Sequence, residues 1–214
     1  MSDSAPATAP AATRPIRFGI HGSPHLAESI IAAAGTDRAT IELVPYDVRE
    51  PFRPLREGAM DLMIVKYDLY EPDIAAGATV AHDPRAVIVG AHHPLAGRPS
   101  VSIEETTAYE AFSCPGDFPP YVWDLMVPPR TPAGTPIRRV HPMTTVEAMA
   151  AVLAETRAVH LSVRSLEDIV PPNIRVVPIH DLPAAPVTLA WLRGAELSPE
   201  AAAFVAAAER SAKP

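Results

Sequence analysis

The first part of the chain alternates short β-prone runs with helix-start signals, and this order constrains the fold more than any other feature. Ser23 is a good N-cap residue, Pro24 suits the first helical position, and Gly35 is placed to end that helix. The predicted elements are a strand at Ile16–Ile20, this helix, a strand at 41–46, a helix at 51–57 and a strand at 62–66. Strands that alternate with helices in this way predict a parallel sheet.

The second part of the chain repeats this pattern. Ser102 with Glu105, and Thr144 with Glu147, have the spacing of capping boxes, so each pair predicts a helix start. Strands are predicted at 85–92, 110–114, 138–143, 159–163, 174–179 and 187–192, with further helices near Tyr121 and after Ser198. Two such units with a crossover near His92 predict an α/β protein of two lobes around a cleft.

Charge restricts the partners of the chain. Its 214 residues carry a net charge of −7, and Lys66 and Lys213 are the only lysines, with the arginines scattered. Proteins that bind nucleic acid neutralise phosphates with Lys and Arg, so we expect no direct contact with nucleic acid. An acidic surface also disfavours an anionic membrane partner.

The N-terminal residues 1–15 are rich in Ala, Pro, Ser and Thr, which predicts a disordered tail. They lack the basic and apolar regions of a secretory signal, and no segment has the length and hydropathy of a membrane span. Cys114 is the only cysteine, so an internal disulfide is excluded. These features together predict a cytoplasmic protein.

Three segments resemble the effector-binding domain of LysR-type transcriptional regulators. The run 55–65, LREGAMDLMIV, resembles the family's L-x-x-G-x-L-D segment, in which the glycine ends a helix and Asp61 leads into a strand. The run 93–98, HPLAGR, resembles the family's HPLA segment, and 146–166 is similar to its helix–strand–helix in the second lobe. The resemblance covers about residues 16–208 and implies a fold of the periplasmic-binding-protein type 2 kind, with two Rossmann-like lobes. We therefore expect lobe I at 16–92 plus 187–214 and lobe II at 93–186.

The sequence also departs from that family. Members carry an N-terminal helix-turn-helix domain, whereas only the short tail stands in its place here. Thr156, Ala158 and Val163 occupy positions where the family favours two glycines and a proline, and His160 occupies a small or apolar strand position. We therefore expect a local difference in the second lobe near this strand.

Ligands of such folds lie between the lobes, at loops that follow the carboxyl ends of strands. In lobe I, the first such loop is 21–25, with Ser23, Pro24 and His25 as candidates, and its helix N-terminus suits a carboxylate, although Ser23 could also serve only as a cap. Lys66 and Tyr67 end the third strand and are expected to face the same cleft.

In lobe II, the resemblance and the predicted strand ends indicate a facing set of ligand-binding candidates. These candidates are Cys114, Pro115, Gly116, Thr144, Thr145 and His160. A pocket of mixed polar and apolar character between two helix N-termini suits a small carboxylated or aromatic metabolite. No metal-binding or phosphate-binding motif is present, so we expect neither a metal nor another cofactor.

An enzyme on the same fold is the alternative interpretation, since one fold hosts many functions. Cys114 with His21 or His25 could form a nucleophile and base, but a lone cysteine is more often a small buried hydrophobic residue. We therefore favour a stand-alone effector-binding domain that senses or captures a small molecule without binding DNA. The resemblance further implies a homodimer and leaves open an association with a full-length LysR-type regulator.

Overall fold

The computed structural model describes residues 14–115 and 118–212, which form two lobes with separate sheets and separate hydrophobic cores. The strands of lobe I are β1 (Ile16–Ile20), β2 (Ile41–Pro45), β3 (Leu62–Val65), β4 (Ile74–Asp83) and β10 (Ala185–Leu192). They form one sheet in the order β2-β1-β3-β10-β4. The first three pair in parallel, as predicted, and β10 runs antiparallel to β3 and β4.

Helices α1 (Pro24–Ala33), α2 (Arg53–Arg56) and α6 (Pro199–Ser211) complete lobe I. Ser23 caps α1 by accepting a hydrogen bond from the backbone N–H of His25, and Ser198 caps α6. Gly35 follows α1 with a φ of +64°, a conformation that favours glycine, so both predicted ends of this helix are confirmed. Phe204 of α6 packs edge-to-face on Phe18 of β1 in the core.

Strand β4 was not predicted. Its ten residues are rich in alanine and contain Gly77, a composition with low intrinsic strand preference. Pairing with β10 along its whole length overrides that preference. Ala78, the residue after Gly77, donates a 2.8 Å hydrogen bond from its backbone N–H to the Glu209 carboxylate, which fixes β4 to α6.

Lobe II contains a three-stranded antiparallel sheet in the order β8-β5-β9 and a parallel pair, β6 with β7. Its strands are β5 (Arg85–Gly90), β6 (Glu110–Ser113), β7 (Arg138–Pro142), β8 (His160–Val163) and β9 (Ile174–Pro178). Helices α3 (Ile103–Thr106), α4 (Pro120–Met126) and α5 (Val146–Glu155) pack around them, and a 3-10 helix, Arg164–Asp168, follows β8.

The lobe boundary differs from the expected position at His92. Strand β5 is the central strand of the lobe II sheet, so the chain crosses between the lobes at Pro84, directly after β4. A short apolar run predicts a buried strand, but it does not indicate the sheet in which that strand pairs.

The start of α5 also differs by one residue from the prediction. Thr145, not Thr144, is the N-cap, and its hydroxyl accepts a hydrogen bond from Ala148 N–H. The capping box expected for Thr144 and Glu147 therefore does not form, whereas the one at Ser102 and Glu105 is confirmed.

At the end of α5, Thr156 stands where the family favours glycine, and its side chain fixes the turn through hydrogen bonds. Its hydroxyl accepts a 3.1 Å bond from Ala158 N–H and donates a 2.8 Å bond to the Val152 carbonyl, which holds the turn before β8.

No helix among the described residues combines the length and the apolar character that crossing a membrane requires. The predicted tail at 1–15 lies outside the described residues except for Arg14 and Pro15.

Candidate functional site

A cavity of about 100 Å³ lies between the two lobes. The residues that lobe I contributes lie at or just after the carboxyl ends of β1, β2 and β3. Ligands of α/β folds bind at such strand ends. The cavity wall on this side consists of His21, Tyr46, Val48, Pro51, Ile64, Lys66 and Tyr67. Lys66 and Tyr67 therefore face the cleft, as expected from their position at the end of the third strand.

Lobe II contributes an apolar wall rich in methionine and aromatic side chains. Phe118, Trp123 and Met126 come from α4 and the segment before it, and Met143, Val146 and Met149 come from α5 and the chain before it. All four residues of β8 also line the cavity, together with Leu166. Methionine fills irregular space adaptably, so this wall suits a small, largely apolar molecule.

The aromatic rings of the wall form a continuous series across the cleft. Tyr67 packs edge-to-face on Phe118 with centroids 6.5 Å apart, and Phe118 packs in the same way on Trp123 at 6.0 Å. Trp123 then stacks on His160 with centroids 6.0 Å apart and planes 30° apart. Such rings offer flat contact surfaces from both lobes.

His160 is buried and has no hydrogen-bond partner among the described residues; its Nδ1 is fully enclosed. Burial lowers the pKa of its imidazole to about 4, with smaller electrostatic contributions from the neighbouring His21 and Arg85 side chains. The ring is therefore neutral at physiological pH. Trp123 has the same feature, because its indole Nε1 is buried without a partner.

Lys66 is already engaged within the protein. Its Nζ lies 3.0 Å from Oδ2 of Asp83, which is 4% exposed, and it donates a 2.6 Å hydrogen bond to the Ser165 hydroxyl. Asp83 Oδ2 itself accepts no hydrogen bond, so the contact with Lys66 is a charge pair, whereas Oδ1 accepts from Ser165 N–H. The cation thus joins lobe I to the 3-10 helix of lobe II.

His21 lies at the lobe I end of the cavity. Its Nδ1 is 3.4 Å from the Tyr46 carbonyl, and because a carbonyl only accepts, the neutral ring is assigned its proton at Nδ1. Burial lowers the pKa of His21, so the neutral form dominates. The Tyr46 hydroxyl donates to the Ile64 carbonyl, and burial raises its pKa, as it does for Tyr67.

Of the first loop, His21 lines the cavity, whereas Ser23, Pro24 and His25 do not. Ser23 donates a 2.6 Å hydrogen bond to Asp168 Oδ2 of lobe II, and His25 Nδ1 lies 3.0 Å from the same oxygen. Ser23 is buried by this contact, while Pro24 and His25 are exposed. A carboxylate of the chain itself therefore occupies the position where the sequence suggested a ligand carboxylate.

The lobe II candidates other than His160 are also absent from the described cavity wall. Cys114 donates a weak 3.4 Å bond to the Phe118 carbonyl, and Pro115 is buried. Thr144 and Thr145 are exposed. Gly116 lies outside the described residues.

The structure does not assemble the suggested nucleophile and base. Burial raises the pKa of the Cys114 thiol, which opposes formation of the reactive thiolate. His25 pairs with Asp168 and His21 with the Tyr46 carbonyl. Within residues 14–115 and 118–212, no three His, Cys, Asp or Glu side chains are grouped to hold a metal ion.

Most residues of the cavity wall were not predicted from the sequence. Trp123 could have been predicted as a wall residue, since it is one of two tryptophans and lies on a helix after a lobe II strand. Asp83 ends the strand that was not predicted, and Asp168 contacts Ser23 across 145 positions of sequence. No local pattern could have indicated either contact.

Comparison with known proteins identifies the same architecture. The family model described as LysR substrate binding domain matches residues 36–213 of the chain. The effector binding domain of QuiR in complex with shikimate is 18% identical with a TM-score of 0.68, over 91% of this chain and 95% of that chain. CbnR, a LysR family transcriptional regulator, is 18% identical with a TM-score of 0.71, over 93% and 70%.

The BenM effector binding domain with its effector benzoate is 18% identical with a TM-score of 0.62, over 92% of this chain and 91% of that chain. At these identities the similarity shows the fold alone, and it confirms the predicted two-lobed α/β architecture of the periplasmic-binding-protein type 2 kind. A search of curated proteins finds no match.

Proposed function

Because the chain belongs to the LysR substrate-binding domain family, we propose that it binds a small carboxylated or aromatic metabolite between its lobes, without contacting DNA itself. One observation carries this proposal. His160 Nδ1 and Trp123 Nε1, both buried on residues of the cavity wall, have no partner in the described part of the chain. Buried polar atoms are normally satisfied, and a ligand would partner these two enclosed atoms once their rings turn toward the cavity.

The wall around these atoms supports the same proposal. It is mostly apolar, with aromatic rings from both lobes and only a few polar groups, which is typical of small-molecule sites. The relatives QuiR and BenM have structures in complex with shikimate and with benzoate, respectively. A cavity of about 100 Å³ suits a molecule of similar, single-ring size.

The experiment is a thermal-shift screen of small carboxylated and aromatic compounds with a cavity-blocked variant. Val48 is half-buried on the loop after β2 and lines the cavity, so Val48→Trp is expected to fill the space. Arg49 is its exposed neighbour, and Arg49→Trp is the matched control. Compounds should raise the Tm of the wild type and the control but not of Val48→Trp. Hits that persist in Val48→Trp would contradict the proposal.

We further propose that the chain forms a homodimer and that its binding event is sensing or capture, with a full-length LysR-type regulator as a candidate partner. Light scattering should give twice the 22.8 kDa mass of the chain. A monomer at all concentrations would exclude the homodimer. Co-purification of a regulator would support the association, and its absence from native extracts would contradict it.

A further inference from the structure

The charges around the cavity are balanced before any ligand enters. Lys66 is the permanent cation of the described cavity wall, and it is paired with Asp83 at 3.0 Å. Asp83 is 4% exposed and is held in place through Oδ1 by Ser165 N–H, so it is not free to leave. A ligand carboxylate would therefore approach a neutral ion pair rather than an unpaired cation.

The other basic groups nearby do not change this balance. Burial lowers the pKa of both His21 and His160, which keeps the two imidazoles neutral. Arg85 begins β5, which pairs with β8, and its guanidinium donates to the carbonyls of Ser162 and Leu125 and to that of Met126. Its charge is thus directed at the protein backbone rather than at the cavity.

The unpaired groups on the wall are neutral, and because their polar atoms are enclosed, a ligand reaches them when the Trp123 and His160 rings turn toward the cavity. The indole N–H of Trp123 can only donate, so it requires an acceptor such as a carbonyl or hydroxyl oxygen. The neutral imidazole of His160 stacks beside it at 6.0 Å and offers a second hydrogen-bonding atom, Nδ1. Phe118 and Tyr67 extend the flat apolar surface next to this pair.

We infer that the cavity selects an uncharged aromatic compound whose carbonyl or hydroxyl oxygen accepts a hydrogen bond from Trp123, in preference to a free carboxylate. This inference rests on the proposed function, since it takes the interlobe cavity to be the ligand site. It makes Trp123 and His160 the residues that determine ligand class, and Asp83 the residue that disfavours anions.

Benzamide and benzoate test the inference directly, because they have nearly the same shape and differ by one charge. NMR titration at neutral pH should show the wild type binding benzamide about tenfold more tightly than benzoate, because the buried carboxylate of benzoate would find no unpaired cation in the cavity. Trp123→Phe keeps a ring but removes the N–H, so it should weaken benzamide binding by about tenfold. Equal or tighter binding of benzoate by the wild type would overturn the inference.

Asp83→Asn provides the complementary test. It keeps an oxygen for Ser165 N–H but removes the charge that balances Lys66, so the preference should move toward benzoate. An unchanged preference in a folded Asp83→Asn variant would contradict the inference. A further outcome is that neither benzamide nor benzoate binds, while other compounds raise the Tm of the wild type but not that of Val48→Trp. In that case the inferred preference for an uncharged aromatic compound is wrong and the proposed function stands. If no compound binds in the cavity, both fail.

Discussion

The Ser23 hydroxyl donates a 2.6 Å hydrogen bond to Asp168 Oδ2, and this contact joins the first loop of lobe I to the 3-10 helix of lobe II. His25 Nδ1 lies 3.0 Å from the same carboxylate oxygen. On the other side of the 3-10 helix, Lys66 donates to Ser165. Two polar contacts therefore hold the lobes together beside the cavity, one at each end of a single helical turn.

Asp168→Asn is expected to show how far the first of these contacts stabilises the protein. Hydrogen bonds from Ser23 and then His25 hold the pKa of Asp168 below its usual value of 3.8. Its stabilising contribution is therefore present above that value and is lost as the pH falls through the lower folded-state pKa. The Tm difference between wild type and variant should be clear at about pH 7 and should shrink as the pH falls below 3.8.

Glu167→Gln is the matched control, because Glu167 is an exposed neighbour that pairs only locally with Arg164. It should leave the Tm almost unchanged at every pH. A Tm difference for Asp168→Asn that does not shrink as the pH falls below 3.8 would show that the carboxylate does not act through its charge.

His160→Phe is expected to reduce the sensitivity of the protein to mild acid. Burial lowers the pKa of His160 from 6.5 to about 4 in the folded protein, so between these values the unfolded chain binds more protons. Stability should therefore fall with decreasing pH, by about 2 kcal/mol from pH 7 to pH 5 through this group. Urea unfolding at both pH values measures the free energy of unfolding. Its decrease from pH 7 to pH 5 should be smaller in His160→Phe than in the wild type. An equal loss would mean that His160 is not neutral when buried.

Gly90→Ala is expected to loosen the packing of α5 on β5. A Cβ at this position would lie 2.2 Å from the Leu153 carbonyl oxygen, so the helix must move outward. We expect a loss of about 1–3 kcal/mol in the free energy of unfolding. Gly97→Ala is the control, since nothing lies within 4 Å of its added Cβ. Similar unfolding curves for both variants would refute the close approach.

Arg85→Met is expected to destabilise the cavity wall formed by α4. The buried guanidinium donates 3.1 Å and 3.3 Å hydrogen bonds to the Leu125 and Ser162 carbonyls and a further bond to Met126. Their loss should cost about 2 kcal/mol in denaturant unfolding. Arg138→Met, which removes an exposed pair with Glu110, should cost less than about 0.5 kcal/mol. Equal losses would contradict a special role for Arg85.

Local signals in the sequence predicted much of the fold. Ser23, Pro24 and Gly35 determine the ends of α1 through backbone hydrogen bonding and conformation, which sequence reports directly. Strand β4 could not be predicted, because its alanine-rich sequence becomes a strand only by pairing with β10. The position of β5 likewise depends on its partners β8 and β9, which lie more than 70 residues away.

The candidate site was predictable to a smaller extent. Lys66 and Tyr67 lie in the cavity wall, and their position at the end of a predicted strand indicated this. His160, also in the wall, was indicated by its departure from the family pattern. Ser23 faces Asp168 instead of the cavity, a long-range contact that no helix-cap signal contains. Thr145 displaced Thr144 as the cap because the helix begins one residue later.

The indole N–H resonance of Trp123 gives the most direct measurement of ligand binding in the interlobe cavity. The chain has two tryptophans, and Trp191 in β10 lies outside the cavity wall, so its indole resonance is an internal control. Addition of benzamide should shift the Trp123 resonance downfield, as its unpaired N–H gains an acceptor, while Trp191 stays in place. A bound compound that moves neither resonance, or only that of Trp191, would contradict binding between the lobes.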